Sequence, residues 1–227
     1  MCGRYTLHTK AGKLAKRFNL ANVSKDIPEN YNVAPGQFMP VITQDGSGRK
    51  LELMKWGLVP FWAKDIQIGY KLINARDDTI FDKPMWRTAV SKRRALIPAD
   101  GFYEWKKPES AKGRKQPFYI RPKQEDLFAL AGVWETWQDV EGKTLKTYSI
   151  ITTDANREMA GVHDRMPVIL DQDDEAAWLE PSSTKREEIE PFLHPYHDGG
   201  LEMYKVSSDV NTARNNSAKL IYPVHAQ

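Results

Sequence analysis

The chain has 227 residues, 41% hydrophobic and 28% charged, with 33 Lys and Arg against 30 Asp and Glu for a formal net charge of +3. That is ample for a well-buried core, and aromatic residues spread along the whole length exclude a disordered chain. No run approaches the roughly 18 apolar residues of a membrane span, Met1–Phe18 lacks the apolar core of a signal peptide, and a lone cysteine makes no internal disulfide, so a cytoplasmic protein without a membrane partner is expected.

Residues 9–19 read as a short amphipathic helix, with Thr9 as its cap and Leu14 and Phe18 four apart on one face. The stretch from Asn30 to Gln37 contains Ala-Pro-Gly and reads as a loop. Strands are expected at 38–43, 51–57, 94–98, 117–121, 127–134 and 146–152, where β-branched, aromatic or alternating apolar residues gather. Helical patterns appear at 82–90, 154–161, 171–179 and 184–193. Between two strands, 106–116 (KKPESAKGRKQ) reads as an exposed basic loop. Strands outnumber helices and lack regular crossovers, which favours an α+β fold with a largely antiparallel sheet over a doubly wound one. No linker divides the chain, so residues 1–227 are expected to form one domain.

The small net charge hides two opposed halves. Residues 1–123 carry 24 Lys and Arg against 11 Asp and Glu, a net +13, whereas residues 124–227 carry 9 against 19, a net −10. Such a split fits either a basic face for a polyanion or two halves whose charges interleave and cancel. Trp56, Trp62, Trp86 and Trp105 all lie in the basic half. Rings that stack bases among cations that hold phosphates are the chemistry of single-stranded nucleic-acid channels, although tryptophans more often belong to a core.

The single cysteine is Cys2. Removal of Met1 would give it a free α-amine beside its thiol. Such a pair either acts as a nucleophile with its own amine as base, or captures an aldehyde as a Schiff base that the thiol closes into a thiazolidine. The alternative is an idle residue at a frayed end. Arg4 stands two residues away, and Asn74-Ala75-Arg76 pairs an amide with a guanidinium; Arg4 and Arg76 suit bidentate phosphate contacts. Arg93 to Trp105 reads as a strand, a Pro/Asp/Gly turn and an aromatic strand holding Glu104, which is a proton-transfer candidate if it points inward and a solvated residue if outward. His163, beside Asp164 and Arg165, is the histidine of the chain interior and an acid/base candidate, whereas His8, His194, His197 and His225 lie toward the ends. No Cys/His cluster has metal-ligand spacing and no Gly-rich phosphate loop is present, so neither a metal nor a nucleotide cofactor is expected.

Together these segments closely resemble the SOS response-associated peptidase (SRAP) family of abasic-site-shielding proteins. The matching pieces are Met1-Cys2-Gly3-Arg4-Tyr5, Tyr31-Asn32-Val33-Ala34-Pro35, Trp56-Gly57-Leu58-Val59-Pro60 with Trp62, Asn74-Ala75-Arg76, the Arg93–Trp105 block, Ala131-Gly132-Val133-Trp134 and His163-Asp164-Arg165-Met166-Pro167. They fall in the family's order over roughly residues 1–170, with a weaker echo at Val210-Asn211. Asp78 stands where the family has Glu, and Ala95 where Cys is common.

The resemblance implies a curved or barrel-like β core with peripheral helices, and a protein joined covalently to abasic sites in single-stranded DNA through Cys2. It assigns Asn74 to hold the opened sugar, Glu104 to assist ring closure and orient the Cys2 amine, and His163 to protonate the departing hydroxyl. It places Arg4, Arg76 and Arg165 on phosphates and Trp62 at the lesion. Autoproteolytic removal of Met1, a weak lyase activity by β-elimination, action as a monomer, association with the nucleoid when bound to DNA, and contact with replication-fork proteins are further expectations. Two rivals remain at this point: an N-terminal-nucleophile amidohydrolase of the glutaminase type, and a non-covalent single-stranded DNA binder.

Overall fold

Alternating apolar residues dominate the middle of the chain, and they fold as strands. A computed structural model describes residues 2–21, 23, 27–108, 110 and 113–224. Met1, residues 109, 111 and 112 of the basic segment, and His225 lie outside the described residues. In chain order the elements are β1 (Arg4–Leu7), α1 (Ala11–Phe18), β2 (Asn30–Val33), β3 (Phe38–Asp45), β4 (Gly48–Trp56), β5 (Asn74–Arg76), α2 (Arg87–Lys92), β6 (Arg94–Ala99), β7 (Gly101–Lys106) and β8 (Gln116–Pro122). Then follow β9 (Phe128–Gln138), β10 (Thr144–Asp154), β11 (Arg165–Pro167), β12 (Ile169–Leu170), α3 (Glu175–Trp178), α4 (Arg186–Ile189) and β13 (Leu201–Lys205).

Five strands close on themselves. The hydrogen-bonded order β10-β4-β3-β6-β9 returns to β10 through the β9–β10 ladder, forming a barrel in which only the β10–β4 contact is parallel. Closure removes the unpaired edges that an open sheet would expose. β5 continues beside β10 where β4 ends: Tyr148 faces Trp56 of β4, and Ile150 faces Asn74 of β5. The second sheet has the order β13-β8-β7-β1-β2 and is antiparallel throughout. Period-two alternation along β7 turns Phe102 toward the barrel core and Tyr103 the other way, into a smaller cluster with Tyr119, Val206, Val210 and Leu220. The two layers meet at Tyr5, whose ring stands edge-on to Trp56 at 5.2 Å and whose hydroxyl is 2.7 Å from that of Tyr148. The α+β architecture with a barrel-like core is therefore present.

Several local expectations change. α1 buries Leu14 and Phe18 as its spacing requires, but Lys10 occupies the cap position without a side-chain bond, and Thr9 Oγ1 instead donates to Asp100 Oδ1 at 2.5 Å. Asn30–Val33 is a strand rather than a loop, because β1 supplies its ladder. The four later helical patterns shrink to single turns or short helices, since the long strand β10 takes 154 and tertiary packing outweighs weak propensity elsewhere. β1, β5 and β13 were too short to show a pattern of their own. Among the described residues no helix is long and apolar enough to cross a membrane.

The opposed charges of the two halves largely interleave. Arg17 and Arg49 converge on the buried carboxylate of Glu175, Arg93 pairs with Glu135, and Arg121 with Glu202. Trp56 and Trp86 are core residues, whereas Trp62 is half-exposed.

One glycine contact fixes the approach to the site. Gly57, at φ +112°, ends β4, and a Cβ there would lie 2.6 Å from the Gly69 carbonyl oxygen, a backbone atom that cannot swing aside. The same approach lets Trp56 Nε1 donate to the Ile73 carbonyl, immediately before Asn74. Gly57→Ala is therefore expected to cost about 2–4 kcal/mol from the combined left-handed strain and overpacking, read as a lowered urea midpoint with an unchanged slope.

Candidate active site and nucleic-acid interface

Cys2 is buried where the start of β1, β5 and β7 come together. Asn74 Nδ2 donates to the Cys2 carbonyl at 2.9 Å. A carbonyl only accepts, so this contact fixes the amide orientation and leaves Asn74 Oδ1 buried with no hydrogen-bond partner among the described residues. An orphaned buried acceptor costs about 1–3 kcal/mol, which a hydroxyl donor placed there would recover. Glu104, next but one after Phe102, points inward and is buried, which settles the open question of its orientation. Burial pushes the Cys2 thiol far above its ordinary range, and the nearby charge of Glu104 pushes it in the same direction. The thiol is thus protonated at neutral pH and stands beside a carboxylate.

Two residues beyond Glu104 on β7, Lys106 opens a cleft of about 540 Å³ that it lines with Lys107, Asp154, His163 and Asp164. The Arg165 amide donates to His163 Nδ1 at 3.1 Å, and Asp164 Oδ1 lies 2.7 Å from the same nitrogen. These contacts require opposite states of Nδ1. The neutral ring accepts from the amide and carries its proton on Nε2; the imidazolium donates to Asp164. Nδ1 therefore has a donor and an acceptor within reach.

The four basic and aromatic candidates are placed very differently. Arg76, half-exposed at the end of β5, is held fork to fork by Asp78, with Nε to Oδ1 at 3.1 Å and a terminal nitrogen to Oδ2 at 2.5 Å. Trp62 is half-exposed in the segment after Gly57, and Trp137 Nε1 bonds the carbonyl of its neighbour Ala63. Arg4 lies opposite Tyr103, so its side chain projects from the face away from the barrel and donates to Val210 O at 2.8 Å and Asn32 Oδ1 at 3.2 Å. Trp105 Nε1 reaches Asn211 Oδ1 on the same side. The Val210-Asn211 echo is thus the segment that closes the back of this sheet.

Arg165 is buried, and its guanidinium bridges Asp77 Oδ1 at 2.6 Å and Asp154 Oδ1 at 2.9 Å, with a further bond to the Thr152 carbonyl. Asp77 and Asp154 carried no signal in the sequence beyond being acidic; only the β5–β10 and β10–β11 pairings bring them to one cation. Arg165→Ala leaves Asp77 without its cation, with only the Thr153 hydroxyl still donating to it, and is expected to destabilise the protein by about 3 kcal/mol, measured by chemical denaturation. Arg165→Lys, lacking the planar fork, is expected to restore less than half of that loss.

Cys2, Asn74 and Glu104 therefore form one cluster, His163 stands at the neighbouring cleft, and Arg76 and Trp62 are both half-exposed. The model of a family described as "SOS response associated peptidase (SRAP)" matches residues 1–213. The chain is similar to "Abasic site processing protein YoqW" of Bacillus subtilis (strain 168), with 44% identity over 226 residues covering 97% of this chain and 99% of that protein. It is also similar to "Abasic site processing protein HMCES" of Xenopus tropicalis, 32% identical over 219 residues and covering 83% of this chain and 64% of that one. A crystal structure of a protein from Bacteroides thetaiotaomicron superposes with a TM-score of 0.88 at 30% identity, covering 99% of this chain and 100% of that one. By the extent of the family match and the identity to these relatives, the chain belongs to the SOS response associated peptidase (SRAP) family.

Proposed function

We propose that this protein processes abasic sites in single-stranded DNA by joining to them covalently through Cys2, once Met1 has been removed. The observation that carries the reading is the buried cluster in which Asn74 holds the Cys2 backbone, offers an unused acceptor, and faces a thiol flanked by Glu104. An abasic deoxyribose opens to an aldehyde and a hydroxyl. The Cys2 amine adds to the aldehyde carbon, the resulting hydroxyl leaves as water on receiving a proton from His163, and the nitrogen returns a proton to His163 to leave the neutral imine. The Cys2 sulfur then adds to the imine carbon, while its proton passes by way of Glu104 to the ring nitrogen. One aldehyde and one aminothiol thus give one thiazolidine and one water.

Asn74 Oδ1 suits a hydroxyl of the opened sugar, Arg76 a flanking phosphate, and Trp62 a neighbouring base. Arg4 and Arg165 act through the fold in this reading: Arg4 ties β1 to the Val210 segment, and Arg165 braces the end of β5 that presents Arg76. Self-removal of Met1 and slow strand cleavage by elimination from the imine are finer activities that use the same groups. A glutaminase-type amidohydrolase would instead attack an amide with the thiol, need an oxyanion hole for the developing charge, and hydrolyse glutamine without DNA.

Intact-mass spectrometry tests the reading. Protein lacking Met1, incubated with an abasic single strand, is expected to gain the mass of the oligonucleotide less one water, in an adduct that survives heating. An unchanged mass with Met1 verified absent would overturn it.

A further inference from the structure

The basic residues at the end of β7 and before β8 are not used by the chemistry above, yet Lys106, Lys107 and Arg114 gather at one place. Alternation puts Lys106 on the same face of β7 as Glu104, and the register pairs Lys106 with Gln116 and Glu104 with Phe118 of β8. On the next strand Lys205 of β13 pairs with Phe118. Glu104, Lys106, Gln116, Phe118 and Lys205 therefore share one face of three adjacent strands. Lys106, Lys107, Arg114, Gln116, Phe118 and Lys205 line a depression of about 260 Å³. Lys106 and Lys107 line the His163 cleft as well, so the two concavities adjoin.

The charges here differ from those of the arginines held inside the fold. Arg17, Arg49, Arg93, Arg121 and Arg165 are each neutralised by a carboxylate. Lys106, Lys107, Arg114 and Lys205 form no ion pair with a described residue. Four such cations around an open depression, with the half-buried Phe118 ring at its floor, are arranged for a polyanion that also carries planar groups.

We propose that this depression is a second phosphate site, which holds the backbone of the DNA strand on the side of the lesion reached past His163. The inference rests on single-stranded DNA being the substrate. Lys106 lies about 7 Å along β7 from Glu104, so the strand reaches the depression only when it extends beyond the lesion by more than the nearest phosphates. Binding there lengthens the footprint without touching the reacting atoms.

The test uses Arg114→Ala/Lys205→Ala, whose side chains line the depression but not the His163 cleft. Fluorescence anisotropy measures its affinity for abasic oligonucleotides of about five and about fifteen nucleotides over a range of salt. For the longer strand, affinity is expected to fall roughly tenfold near 0.1 M salt, with the log–log salt slope shallower by about 1.4, the value for two lost phosphate contacts on a single strand. Affinity for the short strand and its crosslinking should match the parent. Arg114→Glu/Lys205→Glu should deepen the loss for the longer strand alone. Unchanged affinity and slope on the longer strand, in variants with parental melting temperature, would overturn the proposal, as would an equal loss on both lengths. Failure of the covalent reading looks different: the parent protein then forms no adduct with either strand, while the length-dependent salt effect is still read by anisotropy.

Discussion

Cys2→Ala, with Met1 removed, is expected to yield no heat-stable adduct with an abasic single strand, while its affinity for the same strand should be that of the parent. The variant keeps its α-amine, so it still forms the imine, and borohydride added during the incubation traps a covalent product. Without reductant the imine hydrolyses. The effect on the stable adduct is total because no other thiol exists in the chain to replace the one lost. Parent protein that retains Met1 is expected to give no thiazolidine, since its Cys2 nitrogen is then a non-basic amide and any imine it forms is on the Met1 amine, away from the thiol. The combination of a trapped imine and an absent stable adduct separates a thiazolidine from a simple Schiff-base linkage. Loss of strand affinity in Cys2→Ala would instead make Cys2 a packing residue. A stable adduct in Cys2→Ala would move the nucleophile elsewhere.

Much of this site was legible before any fold was known, and the reasons differ by residue. Cys2 and Asn74 stood out because one is the sole thiol and the other an amide set between an apolar run and an arginine. Glu104 was legible as a candidate and not as an inward residue: alternation gives two faces, and only the sheet-on-barrel packing says which is covered. The barrel strands were visible through their apolar runs, whereas β1, β5 and β13 draw their order from ladders contributed by distant residues. The arginines show the limit most clearly. Arg4, Arg76 and Arg165 look alike in a sequence, but Arg4 faces the Val210 segment, Arg76 faces solvent beside Asp78, and Arg165 is sealed between Asp77 and Asp154. Charge is local information; the partner that neutralises it is a property of the fold. The half-chain imbalance of charge is likewise partly resolved by pairs between the halves, such as Arg17 and Arg49 with Glu175 and Arg93 with Glu135.

Glu104→Gln is expected to slow formation of the stable adduct by about a hundred- to a thousandfold, the range in which a positioned proton acceptor contributes. The argument turns on which half of the aminothiol limits the reaction. The α-amine of a chain terminus ordinarily titrates near pH 8, so about a tenth is neutral at pH 7 and available to attack. The Cys2 thiol is held protonated by burial, with the Glu104 charge adding to that effect. Ring closure therefore waits on removal of the thiol proton, and Glu104, whose charge acts on the thiol, is the carboxylate proposed to carry it. Glutamine keeps the size of the side chain and lowers the thiol's resistance to ionisation by removing a negative charge, yet it supplies no acceptor. If the carboxylate acts only through its field, Glu104→Gln accelerates the adduct. If it acts as the proton carrier, the imine accumulates, and borohydride trapping rises as stable adduct falls. Following both products in one time course, by denaturing gel with and without reductant, decides between the two signs.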